Sequence, residues 1–166
     1  MRLRKLEARD AEYMLEWMHD ASVVCDMQTN FQSKTLEDCK KFINQSYTDD
    51  NIHMAVVDEN DEYMGTVSLK NIDRELLCAE FAITIRKCAM GKGYSRFAVQ
   101  EIFKVGFDEM KLQYIYWYVN NHNSRALKFY EKMRFPHMQD EALKKKLIDK
   151  NNIYLSDITW YIVKKE

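Results

Sequence analysis

The chain is poor in the residues that break regular structure, with 1 proline and 4 glycines among 166 residues. That scarcity leaves no Pro/Gly-rich linker, and the length suits one domain, residues 1–166, around one core. Charge of one sign is also missing. The formal net charge is −1, which excludes broad electrostatic attraction to nucleic acid or to an acidic membrane surface. No apolar run is long enough to span a bilayer. The opening Met1-Arg2-Leu3-Arg4-Lys5-Leu6-Glu7 lacks the apolar segment of a signal peptide, so the expected location is cytoplasmic. Cys25, Cys39, Cys78 and Cys88 show no C-x-x-C spacing. His19, His53, His122 and His137 complete no ligand pattern with them, so no metal is expected. Cys88 reads as a small filler or, because it precedes a glycine turn, as a reactive thiol.

What is present is a large apolar and aromatic content, 46% and 13%, and clear periodicity. Arg2 to Leu6 alternates as a first strand. Asp10 to His19 places Ala11, Met14, Leu15 and Met18 on one helical face. Trp17 lies off that face, either packed elsewhere or lining a cleft. Val23 to Ser33 has no period and reads as a loop. Thr35 opens a second helix, with Asp38 as a weaker capping box and Leu36, Cys39, Ile43 and Tyr47 as its stripe. Ile52 to Val57 and Tyr63 to Leu69 form a hairpin across Asp58-Glu59-Asn60-Asp61. A polar turn at Asn71 to Glu75 precedes a strand from Leu76 to Ile85. An amphipathic helix runs from Tyr94 to Met110. Tyr114 to Val119 is continuously apolar, as in a strand buried on both faces by parallel pairing. Asn123 caps a helix from Ser124 to about Met133, and Pro136 stops it. Lys144-Lys145-Lys146 reads as a solvated loop, and Ile153 to Val163 as the last strand. The order β-α-α-β-β-β-α-β-α-β predicts an α/β fold, a mixed sheet with helices on its faces.

Two of the four glycines stand in Met90-Gly91-Lys92-Gly93-Tyr94-Ser95, between the fourth strand and its helix. A glycine turn at a helix start leaves main-chain N–H groups unpaired and pointing together. With the helix dipole they form a site for phosphate or pyrophosphate. The turn lacks G-x-x-x-x-G-K-[ST], and it lacks the G-x-G-x-x-G spacing of dinucleotide folds. ATP and NAD are therefore poor fits.

The element order with this turn resembles the GNAT superfamily of acyl-CoA-dependent N-acetyltransferases. The resemblance covers nearly the whole chain and is strongest from Ala79 to Phe135. Ala79-Glu80-Phe81-Ala82-Ile83 is similar to the fourth strand of the branch containing the ribosomal-protein N-terminal acetyltransferases. Gly91-Lys92-Gly93-Tyr94-Ser95 is similar to the pyrophosphate loop. Asn120 through Phe135 is similar to the fifth-strand and fourth-helix signature, and Tyr154 and Asp157 to a closing hairpin. The loop departs from the superfamily pattern at Met90, where glutamine or arginine is usual, and ends on Ser95.

The resemblance implies acetyl-CoA as cofactor. Its contacts are expected from Ile83 and Ile85 main chain and from Met90, Gly91, Lys92, Gly93, Tyr94 and Ser95, with Asn123 near the pantetheine. It also implies that the fourth and fifth strands splay to admit the thioester, with backbone N–H groups polarising its carbonyl. Tyr130 is the candidate general acid for the departing thiolate; the plainer alternative is a core tyrosine. Glu80, a carboxylate in an apolar strand, is the candidate general base, directly or through a water, since burial raises a carboxyl's pKa. The competing reading makes it solvent-facing or substrate-orienting. His122 is a weaker alternative base. Glu16 and Trp17 at the end of the first helix, and Phe31 in the loop Cys25 to Phe31, are expected at the acceptor. That acceptor is a small-molecule amine of amino sugar or polyamine type, or a protein N-terminus. Relatives often pair as homodimers. The rival class is a non-catalytic acyl-CoA-binding or regulatory module on the same fold.

Overall fold

The computed structural model describes residues 1–165. Six strands form one sheet in the order β1-β2-β3-β4-β5-β6, with β1 Arg2–Lys5, β2 Ile52–Val57, β3 Tyr63–Asp73, β4 Cys78–Ile85, β5 Tyr114–Asn120 and β6 Ile158–Lys164. Every neighbouring pair is antiparallel except β4 and β5, which are parallel. A right-handed crossover through a helix is what a parallel neighbour requires, and α4, Tyr94–Lys104, supplies it.

The two faces of the sheet are covered by different helices. Alternation along β2 to β4 sends Val56, Val67, Leu69 and Phe81 toward α4. The same core takes in Tyr130 of α5, Ser124–Lys132. Ala55 and Val57 point the other way, into a core with Met14 and Trp17 of α1, Ala11–His19, and Cys39 of α3, Leu36–Asn44. Thr35 and Asp38 do form a complete reciprocal capping box at α3, with Asp38 N donating to Thr35 Oγ1 at 3.2 Å and Thr35 N to Asp38 Oδ2 at 2.8 Å. Tyr47, expected on the α3 stripe, is exposed.

Several boundaries differ from the sequence pattern, each for a local reason. The segment expected as a loop after Val23 instead begins inside a short helix α2, Ala21–Val24, capped by Asp20, and contains a 3-10 turn at Phe31–Ser33. β3 runs on to Asp73 through an irregularity, so Asn71 is inside the strand rather than in a turn. β4 begins at Cys78, two residues later than the pattern, because Leu77 takes a positive φ of 51°. The long helix is α-helical only to Lys104 and π-helical over Val105–Glu109, with Met110 N bonded to Val105 O at 3.0 Å.

The largest correction is α6, Glu141–Asn151, in place of the expected solvated loop. Asp140 caps it, accepting from Leu143 N at 2.9 Å, and Asn152 ends it in the left-handed region. Lys144, Lys145 and Lys146 lie within it, while Leu147 is buried with Tyr116, Met138 and Trp160. α6 thus covers the second face of β5, which the unbroken apolar run Tyr114 to Val119 required. β6 begins only at Ile158, so Tyr154 lies outside it and is 81% exposed. No helix among the described residues is long and apolar enough to cross a membrane.

Candidate active site

The β4/β5 pair is short. Its register is Cys78 with Tyr114, Ala79 with Ile115 and Glu80 with Tyr116, and it stops there. β4 continues paired to β3 as far as Ile85, and β5 to β6 as far as Asn120. Past Glu80 the two strands therefore diverge, and alternate main-chain groups of β4 from Phe81 onward face a gap instead of a partner. A cavity of about 250 Å³ occupies the gap, with Glu80, Ala82, Tyr118, Asn120 and Tyr130 among its walls.

Tyr130 is 6% exposed, packed edge-on to Phe81 at 6.4 Å between ring centroids and tilted against Trp117 at 5.3 Å. Its hydroxyl has no hydrogen-bond partner among the described residues, although the ring lines the gap. Burial, with Tyr161 close by, pushes the phenol above its ordinary range. It is thus held protonated, as a donor.

Glu80 is 5% exposed. The strand around it is apolar, yet the carboxylate is not in apolar surroundings. Lys70 Nζ lies 2.8 Å from Oε1, and Asn71 Nδ2 donates to Oε2 at 2.9 Å. Lys70 is its cross-strand neighbour, and Asn71 is turned toward it by the irregularity that follows Lys70, where φ is 48°. Lys70 and Asn71 carry no motif in the sequence. Their one signal is that two polar residues interrupt an apolar strand opposite an acidic one.

At the glycine turn, Gly91 and Gly93 have φ values of 75° and 88°, and a Cβ at either would meet no atom within 4 Å. Their conformation and the open space above them, rather than packing, call for glycine. The first bond across the start of α4 is Phe97 N to Gly93 O at 3.0 Å. No side chain caps this end. The amides of Gly91, Gly93, Tyr94, Ser95 and Arg96 consequently have no acceptor among the described residues. Those of Met90 and Lys92 are used, donating to Lys87 O and Ala89 O at 3.2 and 3.3 Å. The free amides are therefore shifted one residue into the helix relative to the sequence expectation, and Arg96 joins them.

A cavity of about 390 Å³ at this tip is lined by Gly91, Gly93 and Ser95 and by the cations Arg96, Lys132 and Arg134. Beside it a narrow space of about 120 Å³ is lined by Ile83, Ile85, Met90, Ser95, Asn123 and Tyr130. Six residues expected at the cofactor or its sulfur thus share one channel. Lys92 and Tyr94 line neither space. Asn123 uses its Oδ1 to cap α5, accepting from Ala126 N at 3.0 Å. Met90 Sδ lies 3.5 Å from Arg125 Nη1, and the same guanidinium donates to Ser22 O and Val23 O at 3.2 and 3.0 Å, bridging α5 to α2 across the channel.

On the α1/α3 side, a cavity of about 440 Å³ shares Phe31, Lys70, Ala82, Ile83 and Thr84 with the gap. Trp17 and Phe31 form its wall, edge to face at 5.0 Å. Trp17 is also core, 4% exposed, with Nε1 donating to Tyr63 Oη at 3.1 Å, so it is packed and lines this cavity at once. His53, unremarked by spacing, lies beside it with Nδ1 2.7 Å from Ser68 Oγ, its imidazole pulled down to about 4 by burial and by Lys70. Glu16 is not brought to this cleft. Its carboxylate receives Arg86 Nε and Nη2 at 3.1 and 2.9 Å, and Arg86 also holds Glu62. His122 is paired with Asp157 at the surface. Cys88 is exposed, not a buried filler. Among the described residues no group of three or more His, Cys, Asp or Glu is placed to hold a metal ion.

A cationic pocket at a helix tip, a narrow space beside it, a gap between two strands and the cleft beside α1 and α3 adjoin in series. That order has room for a long acyl thioester carrier meeting an amine, the arrangement a CoA-dependent N-acyltransferase requires. Residues 1–136 match the acetyltransferase (GNAT) domain family, and the chain belongs to it. It is 29% identical to N-acetyltransferase p20 of Bacillus licheniformis, with 80% of this chain and 77% of that protein covered. It is 28% identical to the spermidine N(1)-acetyltransferase of Escherichia coli K12, covering 81% and 72%. In three dimensions it matches a spermidine N-acetyltransferase from Vibrio cholerae crystallised with CoA and spermine. That match has a TM-score of 0.77 and 20% identity, over 98% of this chain and 94% of the other. The protein is an acetyl-CoA-dependent acyltransferase.

Proposed function

We propose that the protein acetylates the primary amine of a small molecule by direct attack in a ternary complex, with Glu80 and Tyr130 handling the two protons. Bound acetyl-CoA supplies an activated acetyl thioester. The tip amides of Gly91, Gly93, Tyr94, Ser95 and Arg96 hold its diphosphate, and Arg96, Lys132 and Arg134 add charge. Ile83, Ile85, Met90 and Asn123 flank the arm that leads to the gap. Unpaired β4 amides past Glu80 stabilise charge that builds on the carbonyl oxygen. Glu80, fixed by Lys70 and Asn71, takes the proton that the attacking amine releases, directly or through one water. Tyr130 donates a proton to the departing sulfur. The C–S bond breaks as the C–N bond forms, leaving an amide and a thiol.

The observation that carries this reading is that Glu80 and Tyr130 line one cavity, opened by the end of β4/β5 pairing. A small acceptor is favoured because Trp17, Phe31 and α3 wall the cleft. The relatives named for spermidine support a small-molecule amine in the same way. The test is an acceptor screen with acetyl-CoA, following free thiol, on the wild type and Tyr130→Phe. Amine-dependent release that the variant loses while still binding CoA supports the proposal. CoA binding without release for any amine would make the chain a binding module.

A further inference from the structure

The acceptor cleft carries an uneven charge. Its charged side chains are Lys34, Asp38, Lys41 and Lys70. Lys70 is neutralised by Glu80 at 2.8 Å. Asp38 is held on the α3 cap, where the Thr35 amide and hydroxyl at 2.8 and 2.9 Å keep its acid below the usual range. Lys34 and Lys41 have no carboxylate within 4.0 Å among the described residues, and Lys34 is only half-buried while Lys41 is exposed. His53 does not offset them, because its imidazole is neutral near pH 7. One end of the acceptor path is therefore charge-balanced, where Glu80 and Lys70 neutralise each other in the gap. The other end is cationic, with the two ammonium groups of Lys34 and Lys41 against the single carboxylate of Asp38.

We infer, resting on the acetyl-transfer reading above, that the acceptor is an amine whose far end carries an anion, a phosphate or a carboxylate. The amine end reaches Glu80, and the anionic end is drawn to the net positive charge at Lys34 and Lys41. A polyamine fits one end only. With its first nitrogen at Glu80, its remaining cations extend toward two lysines, and like charges in a partly enclosed cleft repel. The same disposition gives an uncharged amine no contact for the two lysines.

The experiment compares matched acceptors under acetyl-CoA: glucosamine 6-phosphate with glucosamine, O-phosphoethanolamine with ethanolamine, β-alanine with propylamine, and spermidine. The expected result is that the anionic member of at least one pair is favoured about tenfold or more in kcat/KM. The phosphate and carboxylate pairs separate the two sources of charge. In Lys34→Glu/Lys41→Glu the preference collapses to near unity or inverts. A preference for spermidine or for the uncharged members, unchanged in the double variant, overturns the inference. If no amine is turned over, the acetyl-transfer reading itself fails. Calorimetric binding of the same pairs to the CoA-loaded protein then decides the charge preference, and equal or weaker binding of the anionic members overturns it. Lys41→Glu alone, at an exposed helical position, keeps the comparison available should the double variant fold poorly.

Discussion

Lys70 Nζ stands 2.8 Å from Glu80 Oε1 across the β3/β4 pair, at the last position before β4 and β5 part. The ion pair therefore sits at the mouth of the gap and fixes where the carboxylate faces. Removing the carboxylate's charge tests its role directly. Glu80→Gln is expected to lower kcat by about 100-fold or more if it accepts the amine proton. A change confined to the acceptor KM would assign it to orientation alone. Lys70→Met leaves a buried carboxylate without its cation. With Lys70 itself a third exposed, a loss of about 1–3 kcal/mol is expected in urea unfolding.

Tyr130 makes no hydrogen bond through its hydroxyl among the described residues, so Tyr130→Phe should change stability by no more than about 0.5 kcal/mol. Its cost should fall on kcat, by about 100-fold, with CoA affinity unchanged. Because burial raises its pKa, the phenol stays protonated through neutral and mildly alkaline pH. The wild-type kcat profile should show no alkaline fall below about pH 10 from this group.

Gly93 tests the helix tip. At φ 88° an alanine costs about 1–2 kcal/mol in backbone strain. No protein atom lies within 4 Å of the added methyl, so the methyl occupies the space above the free amides. Calorimetry is expected to show CoA binding weakened at least about tenfold in Gly93→Ala, equal to about 1.4 kcal/mol, while the far-ultraviolet spectrum is retained. Undiminished binding would remove the tip as the diphosphate site.

Stability should fall at both ends of the pH range. Burial raises the phenols of Tyr63, Tyr116, Tyr118 and Tyr130 above the ordinary value, Tyr118 to about 12. A raised folded-state pKa stabilises fully below the unfolded value of about 10, and that stabilisation is lost as pH rises beyond it. His53 is depressed to about 4. Its contribution is present above the unfolded value of about 6.5 and is lost as pH falls toward 4. Urea midpoints measured across pH should be flat from about 6.5 to about 8.5, above which the buried thiol of Cys78, raised to about 11, adds its own alkaline loss. His53→Gln should flatten the acidic decline.

Arg86 is 6% exposed, pairs with Glu16 and Glu62, donates to Tyr63 O at 2.9 Å and stacks on Tyr13 at 4.4 Å. Arg86→Ala should cost about 1–3 kcal/mol, chiefly through the lost hydrogen bond to the Tyr63 carbonyl and the lost packing on Tyr13, since both carboxylates keep contact with solvent. Glu16→Gln should cost less and leave the acceptor KM unchanged, since Glu16 does not line the cleft. A rise in acceptor KM would return it to the substrate site.

Periodicity and turn chemistry act within a few residues, so they were enough to mark β2, β5, α1, α3 and α5, the glycine tip of α4, and Glu80 as a carboxylate in an apolar strand, while Tyr130 stood out through the resemblance of Asn120 to Phe135 to the GNAT signature. α6 escaped because three consecutive lysines mask a stripe in which only Leu147 is fully buried, and its purpose appears only against Tyr116 on a strand some thirty residues earlier. Lys70 and His53 line the cavities, and Asn71 reaches Glu80, through cross-strand pairing and the irregularity that follows Lys70, relations between separate strands. Glu16 left the site for the same kind of reason, captured by Arg86 at the end of β4. Local backbone preference chose the elements. Which side chains meet at the gap was settled by pairing and packing between distant segments, where burial and charge neutralisation act on contacts that no short stretch of residues contains.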